Sequence, residues 1–225
     1  ILIAATDRVL RETENQGLRL PNRRFVVPNP ITPVSGWFNN EDPVPTVVLI
    51  GRIDIGKGIE YIPKILDSLT PRFPNLRVEI VGGDSYARII GSTRQWLLQK
   101  LGSRSRHVRF LGTVSRSELD EVYRRAWVVI VPSRWDTFPT VVLEAMIRGK
   151  AIVASPHGGM PEMLSGTEGV IADPATPDFP EAVADLLADP AKRKRAGESA
   201  LEKAQNDYDP KKIASDYIAI LTSAA

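Results

Sequence analysis

Short runs rich in Val and Ile recur along most of this chain, with longer stretches between them in which apolar residues return at helical spacing. The runs are Thr46–Gly51, Arg77–Gly82, Val108–Leu111, Val128–Val131 and Ala151–Ala154, with a weaker one at Gly169–Ala172. Val128–Val131 contains no polar residue, which suits a strand buried on both faces. Helical spacing falls near Ile59–Leu69, Tyr86–Leu101, Ser115–Arg125, Val141–Arg148 and Met160–Leu164. Ser115 and Glu118 form a capping box that fixes the start of the third of these. Strands alternating with helices predict a Rossmann-like, doubly wound parallel sheet of about six strands with helices on both faces. After Asp173 the pattern is helical throughout, at Phe179–Ala188, Pro190–Asn206 and Pro210–Leu221, so the α/β unit ends in a helical tail.

The first thirty residues stand apart. ILIAAT reads as a short buried strand, Asp7–Gly17 as a helix ending in Gly, and Arg24–Val27 as a second strand closed by Pro28-Asn29-Pro30. They are expected to pack at the edge of the sheet. Following Pro28 and Pro30, Pro33, Pro43 and Pro45 punctuate residues 31–45 as they would a linker. No internal repeat is visible.

Composition narrows the function classes. At 225 residues the chain is one domain, or one domain plus a fragment. A net charge of only +2 gives no bulk electrostatic argument for a nucleic-acid partner. The chain has no Cys, which excludes disulfides and thiolate metal sites. No apolar run reaches the length of a membrane span, and ILIAAT is too short and lacks the basic flank of a signal peptide.

Two stretches carry candidate chemistry. The first is GRIDIGKGIEY, Gly51–Tyr61, which follows a strand and is expected to open a helix. A helix N-terminus offers unpaired N–H groups to phosphate, and Arg52 and Lys57 add two cations, which suit a diphosphate. The stretch is nearly a P-loop, but Gly58 stands where Ser or Thr would hold magnesium, and no downstream strand ends in a suitable Asp; the nucleoside-triphosphatase reading is a minor alternative. The plain reading is a glycine turn with two solvated cations. The second stretch is PSRWDTFPTVVLEAM, Pro132–Met146. Its loop Ser133–Thr140 lies beyond the carboxyl end of a strand, where open parallel sheets bind ligands. Asp136 or Thr137 is expected to cap the following helix, with Pro139 in its first turn, Glu144 on the helix and Gly149 ending it.

The other polar candidates are weaker. Gly82-Gly83-Asp84-Ser85-Tyr86-Ala87, between a strand and an expected helix, approximates a nucleophile elbow. No oxyanion-hole signature precedes it, so a serine hydrolase is a second minor alternative and a glycine-rich turn the better reading. His107 is expected at the surface, and His157 is too isolated for a metal ligand. Asp209 reads as an N-cap rather than as part of a metal motif with Asp207. Lys192–Arg195 could touch anionic lipid, although a solvated helix face explains it more simply. No metal cluster is visible.

PSRWDTFPTVVLEAMIRGKAIVAS resembles the donor-binding motif of retaining glycosyltransferases with the two-halved GT-B fold, family four (glycosyl transferases group 1). That family writes PS, two residues, an acidic residue, Phe-Gly, then LEAM. Its other loop is GR, four residues, KG, which Gly51-Arg52 and Lys57-Gly58 match. The resemblance extends from about Asn22 to the end. It implies that residues 46–225 are the C-terminal, nucleotide-sugar-binding half of such an enzyme, residues 31–45 the hinge, and residues 1–30 the tail of an N-terminal acceptor half. It further implies retaining, metal-independent transfer with no cofactor beyond the nucleotide-diphosphate-sugar donor, to an acceptor glycan, lipid or small molecule, in the cytoplasm or at the membrane periphery. In it, Arg52 and Lys57 would grip the diphosphate and Asp136 would contact the sugar or its phosphate, as the catalytic set. Glu144 would accept both ribose hydroxyls. Backbone at Phe138, Pro139, Thr140 and Val141 would approach the β-phosphate and sugar, and Gly51, Gly82, Gly83 and Val114 would border the nucleotide. Asp136 stands where the family has Glu, and Pro139, which lacks an N–H, stands where it has Gly. A nucleotide-binding or regulatory module of the same fold that has lost transfer is the alternative.

Overall fold

The computed structural model describes residues 1–35, 40–166 and 168–223. Residues 36–39 of the expected linker therefore lie outside the described residues. In chain order the elements are β1 (Leu2–Ala4), α1 (Asp7–Asn15), β2 (Arg24–Val26), β3 (Thr46–Ile50), α2 (Ile62–Leu69), β4 (Arg77–Val81), β5 (Tyr86–Ala87), β6 (Gly91–Ser92), α3 (Thr93–Leu101), β7 (Val108–Gly112), α4 (Arg116–Arg125), β8 (Val128–Val131), α5 (Thr140–Met146), β9 (Ala151–Ala154), α6 (Met160–Met163), β10 (Val170–Ile171), α7 (Asp178–Ala188), α8 (Pro190–Asp207) and α9 (Pro210–Thr222). Six strands form one parallel sheet in the order β10-β9-β8-β3-β4-β7. Counted along the chain this is the doubly wound order 3-2-1-4-5-6 read from the other edge.

Strand alternation divides the core in two. Val47 and Leu49 of β3, Val128 and Ile130 of β8 and Val153 of β9 face α2, α3 and α7. Val48, Val129, Val131, Ile152 and Ala154 face α4, α5 and α8. Each fully buried Val, Leu or Ile contributes about 1.5–3 kcal/mol of transfer free energy. The central strands are thus apolar on both faces, which explains the unbroken Val/Ile runs.

Several expected features are differently built. Residues 86–92 are not helical: β5 and β6 pair as a small antiparallel hairpin, and α3 starts only at Thr93. Asp84 causes this, accepting from Ser92 Oγ (2.5 Å) and Arg94 N (2.9 Å), while Ser92 caps the helix by accepting from Gln95 N. A hairpin between strand and helix also removes the strand–turn–helix geometry that a nucleophile elbow at Ser85 would need. The loop after β3 winds through two 3₁₀ turns, Ile55–Lys57 and Ile59–Tyr61, before α2, because Gly58 sits at φ +75° and breaks any continuous helix. His107 is buried rather than at the surface, with Nδ1 bonded to Leu76 O (2.9 Å) and Nε2 accepting from Arg106.

The basic run at the start of α8 is only partly a solvated face. Arg193 is buried, with two nitrogens on the Glu41 carboxylate (2.9 and 2.6 Å), a third on Leu186 O at the end of α7, and its guanidinium 4.3 Å over the Trp127 ring. Planar arginine suits such a corner, and a lysine could not reproduce the fork. The capping box at Ser115 and Glu118 and the N-cap by Asp209 are present as read.

The first 27 residues form their own parallel pair, β1 with β2, outside the six-stranded sheet. They join the rest through α6, where the Glu162 carboxylate accepts from Asp7 N (3.2 Å) and Arg8 N (3.1 Å) at the start of α1.

Loops at the carboxyl ends of the strands touch backbone to backbone. A Cβ on Gly58 would lie 1.9 Å from Pro132 O, one on Gly82 2.0 Å from Gly51 O, and one on Gly158 2.0 Å from Asp136 O. Arg134 N donates to Gly56 O (3.0 Å), Gly159 N to Asp136 O (2.9 Å) and Ser155 Oγ to Ser133 O (2.6 Å). The loop after β8 is therefore clamped between the loop after β3 and the loop after β9. Gly58→Ala should lower unfolding free energy by about 2–4 kcal/mol, since strain and collision add. Gly17→Ala, after α1, has a similar positive φ of +86° but open space around it, and should cost only about 1–2 kcal/mol. Equal losses for the two variants in urea denaturation would show that close approach is not what fixes this loop.

Lys150 supplies a second test. It is buried, donates to Arg124 O (3.2 Å) and Ala126 O (2.9 Å) at the end of α4, and its ammonium is pushed down to about 8 by burial. A lysine whose folded value lies below its unfolded 10.5 carries a cost that is complete below pH 8 and is relieved as pH rises toward 10.5. Relative to Lys150→Met, the wild type should gain about 2–3 kcal/mol between pH 7.5 and pH 10, at roughly 1.4 kcal/mol per unit. A stability difference that stays flat over that window would contradict the burial argument.

Candidate functional site

The order of the sheet reverses between β3 and β8. The helices that follow these two strands go to opposite faces: Ile62, Ile65 and Leu66 of α2 enter one core layer, while Val142, Leu143 and Met146 of α5 enter the other. Chains diverging in this way leave a crevice beyond the carboxyl ends of the strands. A cavity of about 310 Å³ occupies it, lined by Ile50, Gly51, Lys57, Asp136, Phe138, Pro139, Thr140, Val141 and Glu144.

Each wall has a local cause. Gly51 continues β3 at φ +146°, and the Lys57 stem packs over its open Cα side at 3.8–4.0 Å from where a Cβ would stand. Asp54 caps the 3₁₀ turn by accepting from Gly56 N (2.7 Å), which brings Lys57 back toward the strand end. On the other wall, α5 begins at Thr140 with Pro139 as its N-cap residue and no side-chain cap. Asp136 and Thr137 therefore do not cap α5. Asp136 instead accepts from Lys57 Nζ at 2.6 Å, with both side chains partly buried. Charge-assisted contacts of this length are among the stronger hydrogen bonds of a protein. Behind the loop, Phe138 is buried and meets Tyr208 edge to face, with ring centroids 5.8 Å apart.

Glu144, half-buried on α5, lines the cavity, and its Oε2 accepts from the Tyr123 hydroxyl at 3.1 Å. Tyr123 is fully buried; burial first, and the neighbouring Glu144 charge second, hold its hydroxyl well above the ordinary phenol range. It therefore remains a proton donor to the carboxylate. Composition and motif give no signal for Tyr123, which looks like one more apolar position of α4. Ile50 also lines the cavity without having been singled out.

Four residues picked from the sequence lie outside this lining. Arg52 is exposed and makes no hydrogen bond or ion pair among the described residues. Gly82 is consumed by its approach to Gly51, and its N–H by Gly112 O (2.8 Å). Gly83 gives its carbonyl to Ile53 N (2.9 Å) and lies beside the Thr113 side chain. Val114 packs against the core layer of α4 and α5. Among the described residues no group of three or more His, Asp or Glu side chains is placed to hold a metal ion, and no helix is long and apolar enough to cross a membrane.

Comparison with known proteins fits this geometry. The family model described as glycosyl transferases group 1 matches residues 37–203. D-inositol 3-phosphate glycosyltransferase of Corynebacterium glutamicum is 37% identical over 163 residues, covering 71% of this chain and 39% of that protein. Sulfoquinovosyl transferase SQD2 of Arabidopsis thaliana is 31% identical over 176 residues, covering 76% of this chain and 32% of that protein. The chain thus spans about two fifths or less of these relatives' length. Among solved structures, Anabaena Alr3699/HepE in complex with UDP-glucose superposes with a TM-score of 0.82 at 19% identity, covering 99% of this chain and 64% of that one, a likeness of fold. With the strand order, the crevice and the match over residues 37–203 in agreement, the chain belongs to the glycosyl transferases group 1 family.

Proposed function

We propose that this chain is the donor-binding half of a retaining, metal-independent glycosyltransferase that takes a nucleotide-diphosphate-sugar. The observation that carries the reading is one cavity at the strand-order reversal, holding the Lys57 ammonium on one wall and the Glu144 carboxylate on the other. A cation and a carboxylate in one crevice match a ligand with an anionic centre and a pair of hydroxyl donors. A nucleoside diphosphate has both. The solved neighbours found with UDP or UDP-glucose support the same ligand class.

In this reading Glu144 accepts hydrogen bonds from the ribose hydroxyls, since an ionised carboxylate has only acceptors to offer. Lys57 exchanges Asp136 for the diphosphate. Asp136, released, turns to the sugar or its phosphate. The N–H groups of Thr140 and Val141 at the start of α5 have no partner one turn back and face the same anion. When the bond from the anomeric carbon to the diphosphate oxygen breaks, negative charge collects on the leaving group. Lys57 stabilises it there, with Arg52 reaching in from the rim as the second cation. Fixed positive charge aimed where charge develops is the usual source of large rate effects. Residues 1–30 are read as the tail of the acceptor half, and residues 31–45 as the hinge. The acceptor, a glycan, lipid or small molecule, would be held largely by that other half. Pro139, which heads α5 without an N–H, is the observation that favours the second reading, a nucleotide-binding module without transfer. Release of nucleoside diphosphate from a sugar donor by the protein carrying both halves separates the two.

Calorimetric titration with UDP, GDP and ADP in excess EDTA tests the site itself. Binding should persist under chelation and gain nothing from added magnesium. Lys57→Ala should weaken it by about tenfold to a hundredfold, the scale of one hydrogen bond to a charged group, and the deficit should shrink as salt is raised. A requirement for magnesium would remove the metal-independent reading. An unchanged affinity in Lys57→Ala would remove the diphosphate from this wall.

A further inference from the structure

Helix α4 is joined beside the cavity to α5 and the turn after it by four side chains. Asp120 and Tyr123 lie one turn apart on α4; Glu144 lies on α5, and Arg148 four residues on, in the turn that follows it. Arg148 places its Nε and one terminal nitrogen on Asp120 Oδ1 (2.9 and 2.6 Å) and the other on Glu144 O (2.9 Å). Its guanidinium lies 4.7 Å over the Tyr123 ring. The ring is thereby held between the core and a fixed cation. Its hydroxyl has two acceptors within reach, both on α5: Glu144 Oε2 at 3.1 Å and Val141 O at 3.5 Å. The closer acceptor carries the charge, so the proton points there.

This arrangement limits what Glu144 can do. A glutamate on an exposed helix face ordinarily samples several rotamers, and holding one for a ligand costs conformational entropy. Here one carboxylate oxygen is already tied to a side chain that cannot move. The second oxygen is left to face the cavity.

We propose that Tyr123 is a positioning residue for nucleotide recognition, holding the Glu144 carboxylate in the single orientation in which it can receive a ribose cis-diol. The inference rests on the ribose reading of Glu144 given above and extends it to the selectivity for ribose over 2′-deoxyribose. Tyr123 itself touches no ligand. Removing its hydroxyl keeps the Glu144 side chain and the shape of the cavity, but lets the carboxylate turn. A two-hydroxyl contact needs the carboxylate turned one way and held there, so it suffers most. A ligand with one hydroxyl has less to lose.

The test is a titration of wild type, Tyr123→Phe and Glu144→Gln with UDP and 2′-deoxy-UDP, with the GDP and ADP pairs run alongside. Wild type should favour the ribonucleotide. Tyr123→Phe should reduce that preference by about tenfold, the scale of one hydrogen bond to a charged group, while the 2′-deoxy ligand binds within about twofold of wild type. A variant that weakens both ligands equally would make Tyr123 a packing residue and overturn the proposal. So would a preference that survives in Tyr123→Phe and disappears in Glu144→Gln, and in that case the ribose reading stands alone. A wild type that does not distinguish the two sugars, or a Glu144→Gln variant that distinguishes them as well as wild type, removes the ribose reading and this proposal with it. Should Tyr123→Phe fold poorly, 3-fluorotyrosine at position 123 gives a second readout. Its fluorine resonance should move on saturation with UDP and markedly less with 2′-deoxy-UDP, and the same shift with both would overturn the proposal.

Discussion

Backbone meeting backbone at the carboxyl ends of β3, β4, β8 and β9 is the constraint on which the rest of the molecule depends. A side chain at Gly58, Gly82 or Gly158 would occupy the space of a neighbouring carbonyl. Without these contacts the loops after β3, β8 and β9 would stand apart, and the crevice between α2 and α5 would have no fixed walls. Interior packing on the two sheet faces fixes only where strands and helices lie. The glycine contacts fix where the loops lie, and the loops carry Lys57 and Asp136. Protein interiors resist small displacements strongly, so a loop wedged between two others inherits the rigidity of the sheet below it.

Much of the scaffold was legible because burial on both faces leaves an unmistakable mark. Val128–Val131 and Ala151–Ala154 are apolar at every position, and both are central strands with no exposed residue. The signals at helix ends were equally local: Ser115 with Glu118, and Asp209 before Pro210, bond within a single turn. What escaped depends on partners far away in the chain. Tyr86 to Ser92 has no apolar pattern that opposes a helix; it is a hairpin because Asp84 draws Ser92 and Arg94 onto its carboxylate. Arg193 sits in a basic run that looks solvated, yet it is buried against Glu41, 152 residues away in sequence. His107 is buried for a similar reason, its ring bonded to a carbonyl 31 residues earlier.

The candidate site divides along the same line. Lys57, Asp136 and Glu144 stand in stretches that resemble known motifs, and all three line one cavity. Tyr123 belongs to no motif and reaches Glu144 only through the packing of α4 on α5. A residue that acts by orienting another leaves its mark in three dimensions alone. Arg52 shows the reverse: a motif position whose side chain is exposed and stands outside the lining.

The ion pair of Lys57 with Asp136 gives the crevice an electrical character of its own. Two opposite charges 2.6 Å apart present a dipole to the surrounding water rather than a net charge, and the potential of a dipole decays with distance faster than that of an ion. A bare lysine at the mouth of a cleft would draw in chloride or orthophosphate from several ångströms away. The paired lysine does so only weakly, because an arriving anion must displace a carboxylate already in contact. Small anions have nothing further to offer in return for that displacement. A larger ligand, touching several walls at once, does. The crevice is thus shielded from the commonest anions by a contact between two of its own side chains.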